Sequence, residues 1–503
     1  MIEASPQLAI LIPLVGGCLI LATSARRNLR EAVTLLTAGL LFATVIALIP
    51  AALDGPSPAV EVLHVFPEIP LAFHVEPLGM IYALVASGLW ILNSIYSIGY
   101  MRANREAHQT RFYLCFALSI ASVMGIAFSA NMLTLFMCYE VLSLVTYPLV
   151  MHKAPKPGVV RAGRTYLGIL VSASVLLMLP AMVGTWMYTG TLDFVHGGVF
   201  GEALSNGSVP PWLFGFIFFL FMYGIAKAAL MPLHRWLPAA MVAPTPVSAL
   251  LHAVAVVKAG VFSVCKISTY LIGVDKLVEF GQGGWLLYAA GTTVIVASFI
   301  ALFQDNLKRR LAYSTVSQLS YITMGVALFN PLGMMAAAMH IAAHAFGKIT
   351  LFFAAGSIYT AANKTEISQL DGIGRRMPFT MGAFTIGCLS MIGLPPTAGF
   401  VSKWMLFGAA WTTEQYFAIG VLLLSTLLNA AYFLPIVYRA FFRAPPPPPV
   451  LEGDASHPAV AHGEAPWPIV VALTGTAACA VTLFFYPSIF ADLALALVKG
   501  MPT

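Results

Sequence analysis

Six charged side chains interrupt apolar runs of this sequence: Lys227, Lys258, Lys266, Lys348, Lys403 and Glu140. A charge at the middle of a bilayer costs on the order of 3 kcal/mol on insertion scales, so together these cost on the order of 15–20 kcal/mol. Residues placed at such expense are normally paired, face a wet interior and act. Glu140, alone in NMLTLFMCYEVLSLVTYPLV, can glue two helices as a static salt bridge with a single lysine. The other lysines must shed their charge or reach water, and a buried lysine gives up its proton more readily than an exposed one. Such lysines suit a proton relay. Glu140 opposite Lys227 would modulate it: with the pair closed the lysine keeps its proton, and with it open the proton leaves.

The segment AMHIAAHAFGKIT spaces His340, His344 and Lys348 four residues apart, which puts them on one helix face. Histidine exchanges protons near neutral pH. Two histidines at this spacing also suit a metal, but no Cys, Asp or Glu accompanies them and Lys348 would repel a cation; the remaining alternative is a pair of hydrogen-bonded core histidines. In TPVSALLHAVAVVKAGVFSVCK, His252, Lys258 and Lys266 extend the row, with Thr245 and Ser248 as hydroxyl neighbours. Lys266 has a second reading, snorkelling to the outer interface. The stretch AYSTVSQLSY brings Ser314, Thr315, Ser317, Gln318 and Ser320, which hold water or bond across helices.

The elements that must position these groups are membrane helices. The chain is 59% hydrophobic and 9% charged, with mean hydropathy +0.86, against roughly 25% charged residues in soluble domains. Its six cysteines are scattered in apolar runs without a CxxC, and read as buried hydrophobes. Fourteen runs reach the length a bilayer requires: about 7–24, 31–52, 76–100, 112–129, 131–151, 163–187, 211–233, 246–271, 284–303, 311–329, 332–361, 379–410, 415–441 and 467–490. The first, lacking a basic flank before it, reads as a retained helix and not a cleaved signal. Arginines and lysines outside these runs fall on one side, from Arg26 to Arg443, and the other side has only Lys276 and Lys499. The positive-inside rule then puts both termini on the non-cytoplasmic side. The expected organisation is a three-helix segment at 1–110, five-helix units at 111–272 and 282–441, a cytoplasmic Pro-rich loop at 442–466 and a final helix at 467–503.

Two runs contain helix breakers beside a lysine: YGIAKAALMPLHRWLP with Lys227 and Pro232, and IGLPPTAGFVSKW with Pro395, Pro396 and Lys403. Freed backbone groups are tolerated at membrane depth only where protein or water satisfies them. The breaks lie five spans apart, the trace expected of two inverted five-helix repeats; two unrelated proline kinks are the alternative.

The segments around Glu140 and Lys227, with PLHRWLPAAMVAPTPVSALLHA, LKRRLAYSTVSQLSY, HIAAHAFGK and GLPPTAGFVSKW, resemble the antiporter-like subunits shared by respiratory complex I, membrane-bound hydrogenases and Mrp-type Na+/H+ antiporters. The resemblance spans about 75–441 and is strongest to the D-type subunits of Mrp antiporters, in length and in having lysine at Lys403 where one complex I homologue has glutamate. It implies an all-α polytopic fold of about fourteen transmembrane helices, two inverted five-helix repeats and discontinuous helices seven and twelve. It also implies Glu140 and Lys227 as a gating pair, Lys258 with the two histidines of 340–344 as the central relay, and Lys403 as the terminal exit lysine.

The expected function is proton movement within a hetero-oligomeric complex of other membrane subunits in the plasma (inner) membrane of a prokaryote, most simply a cation (Na+)/proton antiporter. The alternatives are the pumping arm of a redox complex, or the energising component of an inorganic carbon uptake system. The chain shows no GxGxxG, P-loop, haem or iron–sulfur motif, so it is not expected to catalyse a reaction on its own, to hold a cofactor or metal, or to bind nucleic acid. Acidic residues are scarce in the spans, which argues against a dedicated Na+ site.

Overall fold

The computed structural model describes residues 5–54, 59–66, 69–445, 463–499 and 501. Ten helices among them are long and apolar enough to cross a membrane, from Arg27–Leu53 to Trp467–Phe485. The four other expected runs coincide with Pro6–Ala22, Pro211–Gly224, Leu307–Val326 and the pair Pro378–Ile392 and Ala398–Thr412. Leu307–Val326 is long enough to cross but studded with hydroxyls and an amide, all buried, so it faces protein and not lipid. Most of the Pro-rich loop, 446–462, lies outside the described residues.

Burial is graded across the bundle. The apolar windows of Thr245–Ile272 and Pro331–Ala362 are 100% and 94% buried, against 33% for Trp467–Phe485. The two helices that contain His252, Lys258 and Lys266, and His340, His344 and Lys348, are therefore the most deeply buried of the ten. Outer helices show leucines, tryptophans and phenylalanines on their exposed faces, among them Leu36, Trp404 and Phe442, an apolar coat that water would not tolerate over this area. Local signals explain many helix ends. Asn131, Asn306 and Asn330 cap helices by accepting from the backbone N–H of Thr134, Arg309 and Gly333. Arg310 donates to the carbonyls of Leu302 and Gln304 at the end of the preceding helix, and to Tyr432.

The structure refines several sequence expectations. The final run is two helices, Trp467–Phe485 and Ser488–Val498. A short antiparallel hairpin, Val60–Phe66 with Ile69–Phe73, stands before the third span; its first strand is apolar but exposed and far too short to cross a bilayer. The seventh run stops being helical at Gly224, well before Pro232; a 3-10 turn over Ala226–Ala228 follows and Ala229 turns left-handed (φ 57°). In the twelfth run the helix ends at Ile392, Gly393 adopts φ 89°, and the prolines at 395 and 396 prevent continuation until Thr397 opens the next helix.

Candidate functional site

Both helix breaks end in a lysine interaction. A helix leaves its last four carbonyls without intrahelical partners. At the second break Lys403, from the helix that restarts, donates to the carbonyls of Met391 (2.7 Å) and Ile392 (3.1 Å) and lies 4.6 Å from the centre of the Tyr321 ring. At the first break Lys227 Nζ donates to the Tyr139 carbonyl (2.6 Å) and to Ser143 Oγ (2.8 Å), with the Tyr139 ring directly beneath it at 3.0 Å. Glycines permit this closeness: a Cβ on Gly260 would stand 2.7 Å from the Lys227 carbonyl oxygen.

Lys227 thus does not form a direct ion pair with Glu140 in this structure. Glu140 follows Tyr139 in the same helix, is half-buried, and its Oε1 has no hydrogen-bond partner among the described residues. Tyr139 and Ser143, which receive the ammonium instead, were invisible in the sequence, because a backbone carbonyl and a helical serine are unremarkable until a lysine points at them.

Deeper in the bundle Lys258 Nζ meets His344 Nδ1, both fully buried. One proton is shared between them: either the ammonium donates to a neutral ring or the ring donates to a neutral amine. His344 lies 6.1 Å from His340, centroid to centroid. His340 is held on both sides, by Gln318 Oε1 at Nε2 (3.0 Å) and by Ser402 Oγ at Nδ1 (2.8 Å). Gln318 Nε2 in turn donates to the Met391 carbonyl (3.2 Å), which fixes its amide orientation and assigns the Nε2 of His340 as a donor. That carbonyl is the one Lys403 caps. Lys258, His344, His340, Gln318, Met391 and Lys403 therefore form one polar row interrupted only between the two imidazoles.

The His340 site tolerates both protonation states. When the ring is neutral, the Ser402 hydroxyl donates to Nδ1; when it is charged, Nδ1–H donates to Ser402, whose hydroxyl turns to the Gly399 carbonyl at 3.3 Å. No backbone movement is needed.

The remaining candidates lie beside this row. Lys348 donates to the Leu311 carbonyl (3.1 Å). His252 is fully buried and packs on Phe352 (4.8 Å), and neither ring nitrogen has a partner among the described residues. Lys266 does not snorkel: it is wholly buried, 2.7 Å from Glu76 Oε1. Glu76 stands immediately before the helix Pro77–Ala103 without capping it by a side-chain hydrogen bond, and its place at the edge of the apolar run hides it in the sequence. No cluster of metal-ligating groups occurs among the described residues.

Two cavities flank the site. One of about 260 Å³ is lined by Gly393, Phe400, Lys403, Trp404 and Thr426. The other, about 200 Å³, lies at the opposite, arginine-rich face, between Lys153, Lys308, Lys364, Tyr100 and Thr245.

Comparison with known proteins follows the same residues. Residues 129–429 match the family described as NADH:quinone oxidoreductase/Mrp antiporter, TM. NADH-quinone oxidoreductase subunit N of Desulforudis audaxviator is 33% identical over 74% of this chain and 73% of its own length. The A/B subunit of a probable K(+)/H(+) antiporter of Rhizobium meliloti is 32% identical over 76% of this chain, which spans only 38% of that relative. The chloroplastic NAD(P)H-quinone oxidoreductase subunit 5 of Chara vulgaris is 31% identical, with 56% of its length covered. Among solved structures, a chain of the Mrp complex of Dietzia sp. superposes with TM-score 0.85 at 21% identity, covering 99% of this chain and 97% of that one. A chain of an archaeal membrane-bound sulfane sulfur reductase gives 0.82 at 21%, over 98% and 96%.

Proposed function

This chain belongs to the NADH:quinone oxidoreductase/Mrp antiporter transmembrane family, and we propose that it translocates protons as one member of a multisubunit membrane complex. The observation that supports this most directly is the buried row from Lys258 through His344, His340 and Gln318 to Lys403. A proton arriving on Lys258 passes to His344 Nδ1 and leaves from Nε2, a nitrogen that has no protein partner among the described residues. A bridging water would carry it to His340 once Nδ1 releases Ser402, whose hydroxyl then turns to the Gly399 carbonyl. His340 and Lys403 are then coupled electrostatically, because Gln318, which accepts from His340, and Lys403 both donate to the Met391 carbonyl; a proton on His340 favours release of one from Lys403 to the cavity beside it. The lysine-lined cavity at the arginine-rich face serves as the uptake mouth, with His252 behind it. Glu140 acts on Lys227 by drawing it off Tyr139 and Ser143; closing that pair holds the proton, and opening it lets the proton go.

Within the family our reading is a cation/proton antiporter component of the Mrp D type in a prokaryotic plasma membrane, with both termini outside and two inverted repeats at 111–272 and 282–441. The 33% identity to a subunit N over three quarters of the chain favours a second reading, the pumping arm of a redox complex; the chemistry of this chain is the same in both. Proton movement in vesicles holding the native complex tests the common claim. Lys227→Ala and Glu140→Ala should each abolish it while the complex still assembles. Wild-type rates in both variants would sink the relay. Mass spectrometry of the co-purifying subunits separates the readings, since iron–sulfur or nickel proteins belong to the second.

A further inference from the structure

Lys266 lies two helical turns beyond Lys258, roughly 12 Å along the axis, and is not joined to the row by any hydrogen bond among the described residues. It has its own partners. Nζ donates to the Ser129 carbonyl (2.6 Å) and faces Glu76 Oε1 (2.7 Å), while Glu76 Oε2 faces His74 Nε2 (3.4 Å). Side-chain exposure rises along this series, 0% for Lys266, 6% for Glu76 and 14% for His74. The three residues thus run from the interior toward the surface at the end of the bundle away from the arginine-rich loops. The two oxygens of a single carboxylate serve two different bases.

From these contacts we propose that His74, Glu76 and Lys266 form a second proton-exchange site, opening to the outer aqueous phase in the first half of the chain. The proposal rests on the proton-translocation reading above. Lys266 gives a proton to Glu76 Oε1; the carboxyl then turns about its Cγ–Cδ bond, so that the protonated oxygen faces His74 and passes the same proton to Nε2; His74 releases its Nδ1 proton to water. Each step moves one proton, and reversal loads Lys266 from outside. In this proposal the charge on Lys266 acts on Lys258 along the buried helix that holds both, and outer acidity thereby sets how readily the central row is loaded.

The surroundings of the site fit this role. From the Thr245–Ile272 helix come Lys266 and, one turn on, Tyr270; from the 128–131 turn come the Ser129 carbonyl, which accepts from Lys266, and the Phe128 carbonyl, which accepts from the His74 backbone N–H; from the segment after Thr191 comes the Phe194 ring, 4.7 Å from the ammonium. The Glu76 carboxyl lies between two bases, with Lys266 at Oε1 and His74 at Oε2. A protonated His74 competes with Lys266 for it.

A merely structural latch would also explain a buried pair, and the test separates the two. The native complex is reconstituted in vesicles, the pH at the arginine-rich face is held near neutral, and transport is followed while outer pH is stepped down to about 5, across the range where histidine titrates. Glu76→Gln should slow transport by about tenfold or more and flatten its dependence on outer pH. His74→Gln, at a partly exposed position, should flatten the same dependence with a smaller loss of rate. Glu76→Asp should restore the wild-type profile. An unchanged profile in His74→Gln overturns the proposal, even if Glu76→Gln fails to assemble. So does a uniform loss in Glu76→Gln with the profile shape intact. If Lys227→Ala abolishes transport while these variants keep the wild-type profile, the outer site is refuted and the relay stands. If the wild-type complex moves no protons, both fall.

Discussion

Gln318 offers the sharpest test of the row, because it joins its two halves. Its Oε1 accepts from His340 Nε2 at 3.0 Å and its Nε2 donates to the Met391 carbonyl at 3.2 Å. Gln318→Leu keeps the volume and removes both contacts. A hydrogen bond to a charged group contributes about 1.5–3 kcal/mol. Loss of that support raises the intermediate in which His340 holds the proton by the same amount, which slows passage about ten- to hundredfold. Because a lower pH is then needed to load His340, the optimum moves toward acid. Gln318→Glu acts with the opposite sign: the carboxylate holds the proton on His340, transport slows at the release step, and the optimum moves toward alkali. Rates of acidification in vesicles containing the assembled complex, measured across pH, read both effects. A wild-type rate in Gln318→Leu, or equal displacement of both optima in one direction, would refute the proton path through His340.

Three further outcomes follow from other contacts. Gly260→Ala places a methyl against the Lys227–Ala228 backbone; overpacking of this kind costs about 1–3 kcal/mol, so the melting temperature in detergent should fall and transport with it, and an unchanged melting curve would contradict the close approach. Lys403→Met strips the carbonyls of Met391 and Ile392 of their ammonium, at about 1–3 kcal/mol for each buried group left unmade; transport should be lost with that fall in stability, and retained transport would remove Lys403 from the path. On the arginine-rich face, the hydrogen bond from Arg439 holds Asp371 below the ordinary carboxylate range. Its stabilisation is complete above the unfolded value near 4 and disappears as pH falls through the lower folded value. Asp371→Asn should therefore cost up to about 1 kcal/mol at neutral pH and nothing at strongly acid pH. A difference in melting temperature that persists in acid would mean the ion pair is not its source.

The membrane class, the spans and the general location of both breaks were legible in the sequence because each depends on local composition. An apolar run long enough to cross a bilayer is complete in itself, and a proline or glycine near a lysine needs no partner to be noticed. The four-residue spacing of His340, His344 and Lys348 likewise needs only helix geometry to predict a shared face, though contacts then divide them: the histidines join the row, whereas Lys348 turns to the Leu311 carbonyl.

Partner choice was not legible. Lys266 has the same sequence surroundings whether it snorkels or pairs, and only the fold brings Glu76, nearly two hundred residues earlier, to its ammonium. Lys227 could have been matched with Glu140 by charge alone, yet Tyr139 and Ser143 receive it. Gln318 could hold water or bridge helices until the Met391 carbonyl, freed by a break seventy residues away, gave its amide a direction. The sequence by itself determined that buried charge exists in this protein and which helices contain it, because insertion energy is a property of each run. The tertiary structure alone decided which groups share a proton, because hydrogen bonds form over about 3 Å and depend on helices that are distant in the chain.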